Sequence, residues 1–541
     1  MHVRNHRVAG VLTLLLLPSL WLAACTEYER SDIYTSTWNV EEPVQLQRHI
    51  AFLNRTLEEV MLVEADGAKL CFSHLPVGRQ PSGLVVSPDQ RHLAVVSRKD
   101  QALTVITLGE ELQTRVYPLG SPFAGVEFSP DSRYVVAFYV PGTEPASGIL
   151  YNPNAYAVVD LERAPSDADA VLERALRGLG STPSRVHFVP PFRLTDDGPE
   201  ERYAMFVFDA YVTFADLQDP SFEVTVFLTL GSATANIKPS KILFTTSAMQ
   251  PSLQNTFVYM LASNSDDVFA INLLPGRVED GKVRLRPDIN QLPSGRTPVD
   301  MALFIGPDGR EKMLTVNQSS SDIALIDAST ASVVRVPLTA KANRIHLYDA
   351  VNPSSGAVES HALLYGEGMG QQVVSFVRLM ELEDRRSQAV DSLSVNAAVA
   401  QVFPSPIDGQ VVVRHQGSGG LSLLNLGNKT YNPLQARAAL SDLSVDAAGL
   451  RIFAAVENSH FLNIIDLVQG TAMNVPLDFN IKRVFWLPSA GSLLISHMGN
   501  AGLMTAFAVP QNEGAGAFPI SRENASIYTG FLLHEAAEVT Q

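Results

Sequence analysis

The stretch Leu84-Val85-Val86-Ser87-Pro88-Asp89 returns 42 residues later as Val126-Glu127-Phe128-Ser129-Pro130-Asp131. In both copies a short apolar run ends in a Ser-Pro-Asp turn and a second apolar run follows, as from Arg91 to Ser97. Proline presets the φ angle of a tight turn, and short β-branched runs between turns are typical of antiparallel strands. The repeat therefore predicts an all-β fold made of many similar sheets.

Each repeat also has a characteristic beginning and end. A Gly-x-x-Pro segment leads into the first strand at Gly180–Pro183 and at Gly295–Pro298. Later in the repeat, apolar runs close with an aspartate, as in Ile323–Asp327 and Asn463–Asp466. A carboxylate at the end of a strand can accept hydrogen bonds from the amides of the following turn. We therefore interpret both aspartates as structural residues.

One repeat resembles a known family. Leu314-Thr315-Val316-Asn317, the polar loop Gln318–Ser321 and the strand Asp322–Asp327 resemble the YVTN β-propeller repeat. Degenerate copies stand at Ala262–Asn264 and Ala455–Asn458, and the resemblance spans roughly residues 55–530. It implies a β-propeller of four-stranded antiparallel blades, and it says little about function, because propellers host many functions.

The alignment of first strands gives nine positions, and successive positions lie 41 to 60 residues apart, so several blades carry insertions. These positions are Gly83, Gly125, Arg185, Lys241, Asp300, Arg344, Gln401, Asp442 and Arg483. One insertion, Asp167–Arg177, has Ala, Val and Leu at helical spacing, which predicts a short surface helix.

The two ends of the repeat region are expected to share one further sheet, which would close the ring. Ile527–Leu533 would supply one strand, and His49–Leu53, Val60–Val63 and Leu70–Ser73 would supply the others. With this sheet the count reaches nine or ten, whereas propellers commonly have about four to eight blades. The sequence leaves the blade number open, from about seven to ten.

The start of the chain has the order of a secretory signal peptide. Arg4 and Arg7 precede an apolar run, Val8–Leu22, and Leu22-Ala23-Ala24-Cys25 follows. This tetrapeptide is similar to the bacterial lipobox, which implies cleavage before Cys25 and acylation of its thiol. We therefore expect a signal peptide at 1–24, a lipidated polar tether at 25–50 and the propeller at 51–541, with ring closure between its N- and C-terminal strands.

The same resemblance predicts a location. Thr26 follows the cysteine, and the aspartate that typically retains lipoproteins in the inner membrane is absent, so the outer membrane is favoured. Several acyl chains together give stable anchoring. Once Cys25 is acylated, Cys71 is the single remaining cysteine, and we expect it to be buried and inert.

Charge excludes one class of partner. Residues 1–24 contain two arginines and no acidic residue, so their removal changes the net charge from −16 to −18. A strongly acidic body argues against nucleic acid as a partner, because phosphate binding requires a basic surface. The anchor lipid, an envelope protein and a small anionic ligand remain as expected partners.

In a propeller the first strand of each blade lines the central channel, so the aligned positions predict a ring of side chains at a channel mouth. The ring holds Arg185, Lys241, Asp300, Arg344, Gln401, Asp442 and Arg483. Converging guanidinium groups suit a carboxylate or phosphate. The alternative is that these charges pair between neighbouring blades and only hold the ring together.

The sequence contains no recognisable catalytic motif. His187 and His346 occupy matching places in two blades and are weak candidates for metal binding, because no third ligand is set beside them by spacing. No nucleophile elbow or HExxH motif occurs, and no cofactor is predicted. We expect a non-enzymatic binding or scaffold protein. The alternative is a propeller enzyme of lactonase or dehydrogenase type that acts at the channel mouth.

Overall fold

The computed structural model is an all-β protein in which ten sheets are arranged as a β-propeller. It describes residues 39–109, 111–143, 151–177, 181–195, 197–228, 237–245, 256–279, 281–351, 356–384, 388–417, 420–434, 436, 439–498, 502–509, 520, 524–530, 532 and 537–539. The segment 1–24, predicted as a signal peptide, and Cys25 lie outside these residues. In the described part of the chain no helix is long and apolar enough to cross a membrane.

Each blade is an antiparallel sheet whose strands follow one another in chain order. In blades 1 to 5 the strands are β1 Val44–Gln45, β2 His49–Asn54, β3 Glu59–Asp66, β4 Lys69–Pro76; β5 Pro81–Val86, β6 His92–Ser97, β7 Ala102–Thr107, β8 Gln113–Pro118; β9 Gly125–Phe128, β10 Tyr134–Phe138, β11 Ala155–Asp160, β12 Val171–Ala175; β13 Arg185–Phe188, β16 Tyr203–Val207, β17 Tyr211–Asp216, β18 Glu223–Phe227; and β19 Pro239–Phe244, β20 Phe257–Ala262, β21 Asp267–Glu279, β22 Lys282–Pro293. Blade 4 also carries a two-stranded hairpin, β14 Phe192–Arg193 and β15 Glu200–Glu201.

The second half of the ring repeats the pattern. In blades 6 to 10 the strands are β23 Pro298–Ile305, β24 Glu311–Asn317, β25 Asp322–Asp327, β26 Ser332–Pro337; β27 Arg344–Val351, β28 Val358–Tyr365, β29 Val373–Arg378, β30 Val390–Ser394; β31 Val399–Pro404, β32 Gln410–His415, β33 Leu421–Asn425, β34 Thr430–Leu434; β35 Leu440–Asp446, β36 Arg451–Val456, β37 Phe461–Asp466, β38 Ala472–Pro476; and β39 Ile481–Leu487, β40 Ser492–His497, β41 Leu503–Ala508, β42 Ser526–Thr529, β43 Ala537–Val539. Two short 3-10 turns, Leu379–Glu381 and Pro488–Ala490, complete the described elements.

The core is divided into ten apolar clusters, and each cluster fills the space between two neighbouring blades. One of them joins blade 1 to blade 10: Phe52 and Met61 pack with Phe485, Leu494 and Tyr528. Because every blade packs on the next and the last packs on the first, the ring is closed. Repeat counting left seven to ten blades open, and packing fixes the number at ten.

Ring closure differs from the expected shared sheet. Ser526–Thr529 is the fourth strand of blade 10, and Val44–Gln45 is the first strand of blade 1, so the two ends lie in different sheets. Because each sheet already has four strands of its own, the ring is closed by side-chain packing and by hydrogen bonds between blades 1 and 10 outside any shared sheet. Blade 1 also begins inside the segment 25–50, which the sequence assigned to a tether.

Two further expectations were wrong. The segment predicted as a helix at Asp167–Arg177 contains strand β12, which pairs with β11 and completes blade 3. Pairing with β11 stabilises an extended backbone here, and in so short a segment this tertiary contact outweighs the helical spacing of the apolar residues. Cys71 is exposed rather than buried, because β4 is the outermost strand of blade 1 and its outward face meets solvent.

The aspartates that close third strands have the predicted role. Asp327 accepts hydrogen bonds from the backbone amides of Ser329 and Thr330 at 2.9 and 3.2 Å. Asp466 does the same for Val468 and Gln469 at 2.8 and 2.9 Å. These carboxylates stabilise the turn between the third and fourth strands.

Candidate binding site at the channel wall

The predicted ring residues all lie on first strands, and several neighbouring first strands approach each other at the centre of the ring. A β-bulge precedes Lys241, Asp300, Gln401, Asp442 and Arg483. Bulges re-aim the side chain that follows them. This repeated backbone feature explains why the aligned positions share a place in different blades.

The structure pairs two bases of the ring with acids of adjacent blades. Lys241 forms an ion pair with Asp300, whose carboxylate also accepts a hydrogen bond of 2.7 Å from the backbone N–H of Ile345. The Asp442 carboxylate accepts hydrogen bonds from the side chain of Arg483 at 3.1 Å and from the backbone N–H of Val484 at 2.8 Å. Each of these carboxylates therefore connects the first strands of neighbouring blades.

The other two arginines of the ring have different surroundings. Arg344 forms an ion pair with Glu367 inside blade 7. Arg185 is exposed, and its guanidinium donates a hydrogen bond to the backbone carbonyl of Ser240 at 3.2 Å. Among the described residues, no acidic side chain lies within ion-pair distance of Arg185. The seven positions thus form ion pairs and separate side chains rather than one cluster of bases that could bind an anion.

Between blades 3 and 4 the channel wall opens into a cavity of about 470 Å³. Its lining comes from the first strands β9 and β13, from the end of the second strand of blade 3 and the residues just after it, and from Pro88 and Pro130 in the Ser-Pro-Asp turns of blades 2 and 3. Apolar side chains dominate: Phe128, Phe138, Val140, Val186 and Phe188. Both blades supply these walls, so the cavity depends on the packing of the closed ring.

One carboxyl group stands in this apolar lining. Glu127 pairs across the ladder with Val136, which packs towards blade 4, whereas Val126 and Phe128 pack towards blade 2. Because successive side chains of a strand point to opposite faces, Glu127 faces blade 4 and the cavity. Burial raises the pKa of the Glu127 carboxyl above its ordinary value.

Arg185 and His187 line the same cavity from β13, but their contacts run towards blade 5. The His187 ring lies 6.4 Å from the ring of Phe244, and its buried Nε2 atom has no hydrogen-bond partner among the described residues. Burial, with a smaller contribution from Arg185, lowers the pKa of His187. The histidine is therefore neutral near pH 7.

The two histidines proposed as weak metal ligands stand in matching registers of different blades. His187 pairs with Met205 in blade 4, and His346 pairs with Leu363 in blade 7. Burial also lowers the pKa of His346. Within the described ranges, no group of three or more His, Cys, Asp or Glu side chains has the arrangement of a metal site.

Sequence reasoning missed Glu127, although a signal was present. In the two Ser-Pro-Asp repeats, Val85 of the first copy corresponds to Glu127 of the second. A carboxylate inside an otherwise apolar strand is unusual, because an ionised group is costly to bury without a partner. The strand pattern alone does not distinguish this position as a candidate site.

No family model matches the chain, and no curated protein matches it. Among solved structures it is similar to dihydro-heme d1 dehydrogenase NirN in complex with DHE, at 11% identity and TM-score 0.38, covering 83% of this chain and 79% of that one. It is also similar to a eukaryotic initiation factor, at 11% identity and TM-score 0.42, covering 93% and 98%. A functionally unknown protein from Desulfotomaculum acetoxidans matches at 12% identity and TM-score 0.29, covering 72% and 93%.

Proposed function

We propose that this protein is a non-enzymatic binding protein of the bacterial envelope, and that its channel wall binds a small organic ion between blades 3 and 4. The observation that carries the proposal is the cavity of about 470 Å³, which combines apolar walls with the ionisable groups of Glu127 and Arg185. Ligand sites are commonly concave, mostly apolar and of about 300–1,000 Å³, with few polar groups that fix orientation.

The closed ring supports a binding role because it makes the cavity rigid. The cavity walls belong to strands whose neighbours pack in the clusters between blades 2 and 3 and between blades 3 and 4. A preformed site loses little conformational entropy when a ligand binds. The protein therefore does not need a mobile lid to order the walls.

Filling the cavity tests the proposed function. Val140 lines the cavity, and Val140→Trp adds an indole to this wall, whereas Val116→Trp adds the same group to an exposed position of the fourth strand of blade 2. We expect thermal-shift and calorimetric binding to small organic ions to be lost in Val140→Trp and retained in Val116→Trp. Equal binding by both variants would place the site elsewhere.

The envelope location is part of the same proposal and rests on the lipobox-like sequence that ends in Cys25. Acylation at this position would hold an acidic propeller at the membrane without a membrane-binding surface on the propeller itself. The body would then meet its ligands in the periplasm or at the cell surface.

A further inference from the structure

We infer that the cavity between blades 3 and 4 selects an organic cation, an ammonium group on an apolar body, and that Glu127 is the residue that binds its charge. This inference rests on the proposed function and decides the sign of the ligand's charge. It reverses the sign expected from the ring of bases at the channel mouth.

The first step is the isolation of the Glu127 carboxyl. Within the described residues, no hydrogen bond or ion pair involves this side chain, although it is half-buried. The closest comparison is Glu311, a second acid with a pKa raised by burial, which accepts hydrogen bonds from Thr245 and Tyr259. One oxygen of the Glu311 carboxylate therefore has two partners within the protein, whereas the Glu127 carboxylate has none among the described residues and leaves its acceptor capacity to a ligand.

The second step is the kind of wall that surrounds this carboxyl. Phe138 and Phe188 line the cavity on the side that Glu127 faces, together with Val140 and Val186. Aromatic faces attract cations, and aromatic-lined sites are used to recognise ammonium ligands. One carboxylate with two aromatic rings therefore complements a cation that carries apolar groups.

The third step concerns the base at the cavity. The Arg185 guanidinium donates to the carbonyl of Ser240 in blade 5, on the side of β13 away from Glu127. Val186, the next residue, packs instead between blades 3 and 4. Alternation along the strand therefore directs Arg185 away from the carboxyl, and the charge nearest the cavity's apolar walls is negative.

Gly125 contributes to the shape of this site. A Cβ atom at this position would lie 2.7 and 2.8 Å from two ring atoms of Phe138 and 2.7 Å from a methyl group of Val140. Both side chains line the cavity, so the absence of a side chain at Gly125 allows them to approach the first strand. Gly125→Ala should therefore weaken binding by displacing the wall.

Three probes with the same phenylethyl body test the inference on the mature full-length protein. They are phenethylammonium, the neutral 2-phenylethanol and the anionic 3-phenylpropionate, each titrated by calorimetry at pH 7. We expect phenethylammonium to bind at least tenfold more tightly than 2-phenylethanol, and 3-phenylpropionate to bind most weakly. In Glu127→Gln the preference for the cation should disappear.

Matched variants separate the possible outcomes. Glu111→Gln removes one negative charge from an exposed loop position and should leave the preference unchanged. Because Glu127→Gln removes a carboxyl that is costly to bury, it should also raise the melting temperature, which shows that the variant folds. Tightest binding of 3-phenylpropionate, lost in Arg185→Gln, would overturn the inference and leave the proposed function intact. Binding of none of the probes would overturn the proposed function as well.

Discussion

Removal of a single hydroxyl group, in Tyr528→Phe, should loosen the contact that closes the ring. Tyr528 belongs to the last blade, and its hydroxyl donates to the carbonyl of Ala68 at 3.1 Å and accepts the backbone N–H of Leu70 at 3.2 Å. Both partners lie in blade 1. The phenylalanine ring keeps the packing between the blades, and the change removes these two hydrogen bonds.

The size of the effect follows from the two hydrogen bonds. Each contributes about 0.5–1.5 kcal/mol, and the amide of Leu70 loses its buried acceptor, so the contact should weaken by about 1–3 kcal/mol. Since 1.4 kcal/mol corresponds to a factor of about ten, separation of blades 1 and 10 should become roughly five- to one-hundred-fold more frequent.

Hydrogen exchange followed by mass spectrometry measures this opening. We expect faster exchange in peptides from blades 1 and 10 and unchanged exchange in blades 4 to 6. Tyr431→Phe is the control, because its hydroxyl bonds to His415 at 3.2 Å within blade 8. If Tyr528→Phe changed exchange in blade 10 alone, or in all blades equally, the closure described here would be wrong.

Three further predictions concern stability and location. The buried guanidinium of Arg451 lies 2.6 Å from the Asp446 carboxylate, and Asp446→Ala removes this partner. The free energy of unfolding in urea should fall by about 3–5 kcal/mol and should partly recover when Arg451→Met is added. An unchanged free energy of unfolding would contradict the pairing. Burial lowers the pKa of His415 and His497, so the unfolded chain binds protons at these positions before the folded chain does as the pH falls. The melting temperature should therefore decrease below about pH 6.5, and it should decrease less steeply when both histidines are replaced by asparagine. An equal pH dependence in the two proteins would contradict a contribution from these histidines. Cys25→Ser should move the protein from the membrane fraction to the soluble fraction and abolish palmitate labelling, and an unchanged distribution would contradict lipid anchoring.

The sequence predicted those parts of the fold that are encoded locally. The Ser-Pro-Asp turns and short apolar runs identify strands because turn chemistry and strand pattern act over a few residues. Asp327 and Asp466 were correctly read as turn-stabilising residues. All nine aligned positions lie on first strands.

Features that depend on distant contacts were not predictable in the same way. The segment around Val171 is a strand because β11 requires a partner, and the C-terminal Ser526–Thr529 pairs with β41 rather than with blade 1. The pairing of Lys241 with Asp300 joins residues from different repeats. Repeat alignment places such residues at equivalent positions but does not show which neighbours they contact.

The candidate site was predicted in part. Arg185 was identified because it starts a first strand, but its direction towards blade 5 follows from side-chain alternation in the folded sheet. Glu127 acquires its significance from Val186 and Phe188, which belong to another blade and complete the apolar cavity. A site formed between blades is visible only when both blades are placed side by side.

The most direct test of cation binding between blades 3 and 4 is the structure of a crystal of this protein that has been soaked with phenethylammonium. The account predicts the ligand between strands β9 and β13, with its nitrogen about 3 Å from the Glu127 carboxylate and its phenyl ring among Phe138, Val186 and Phe188. A ligand bound at another place in the ring, or one whose nitrogen lies away from Glu127, would contradict it.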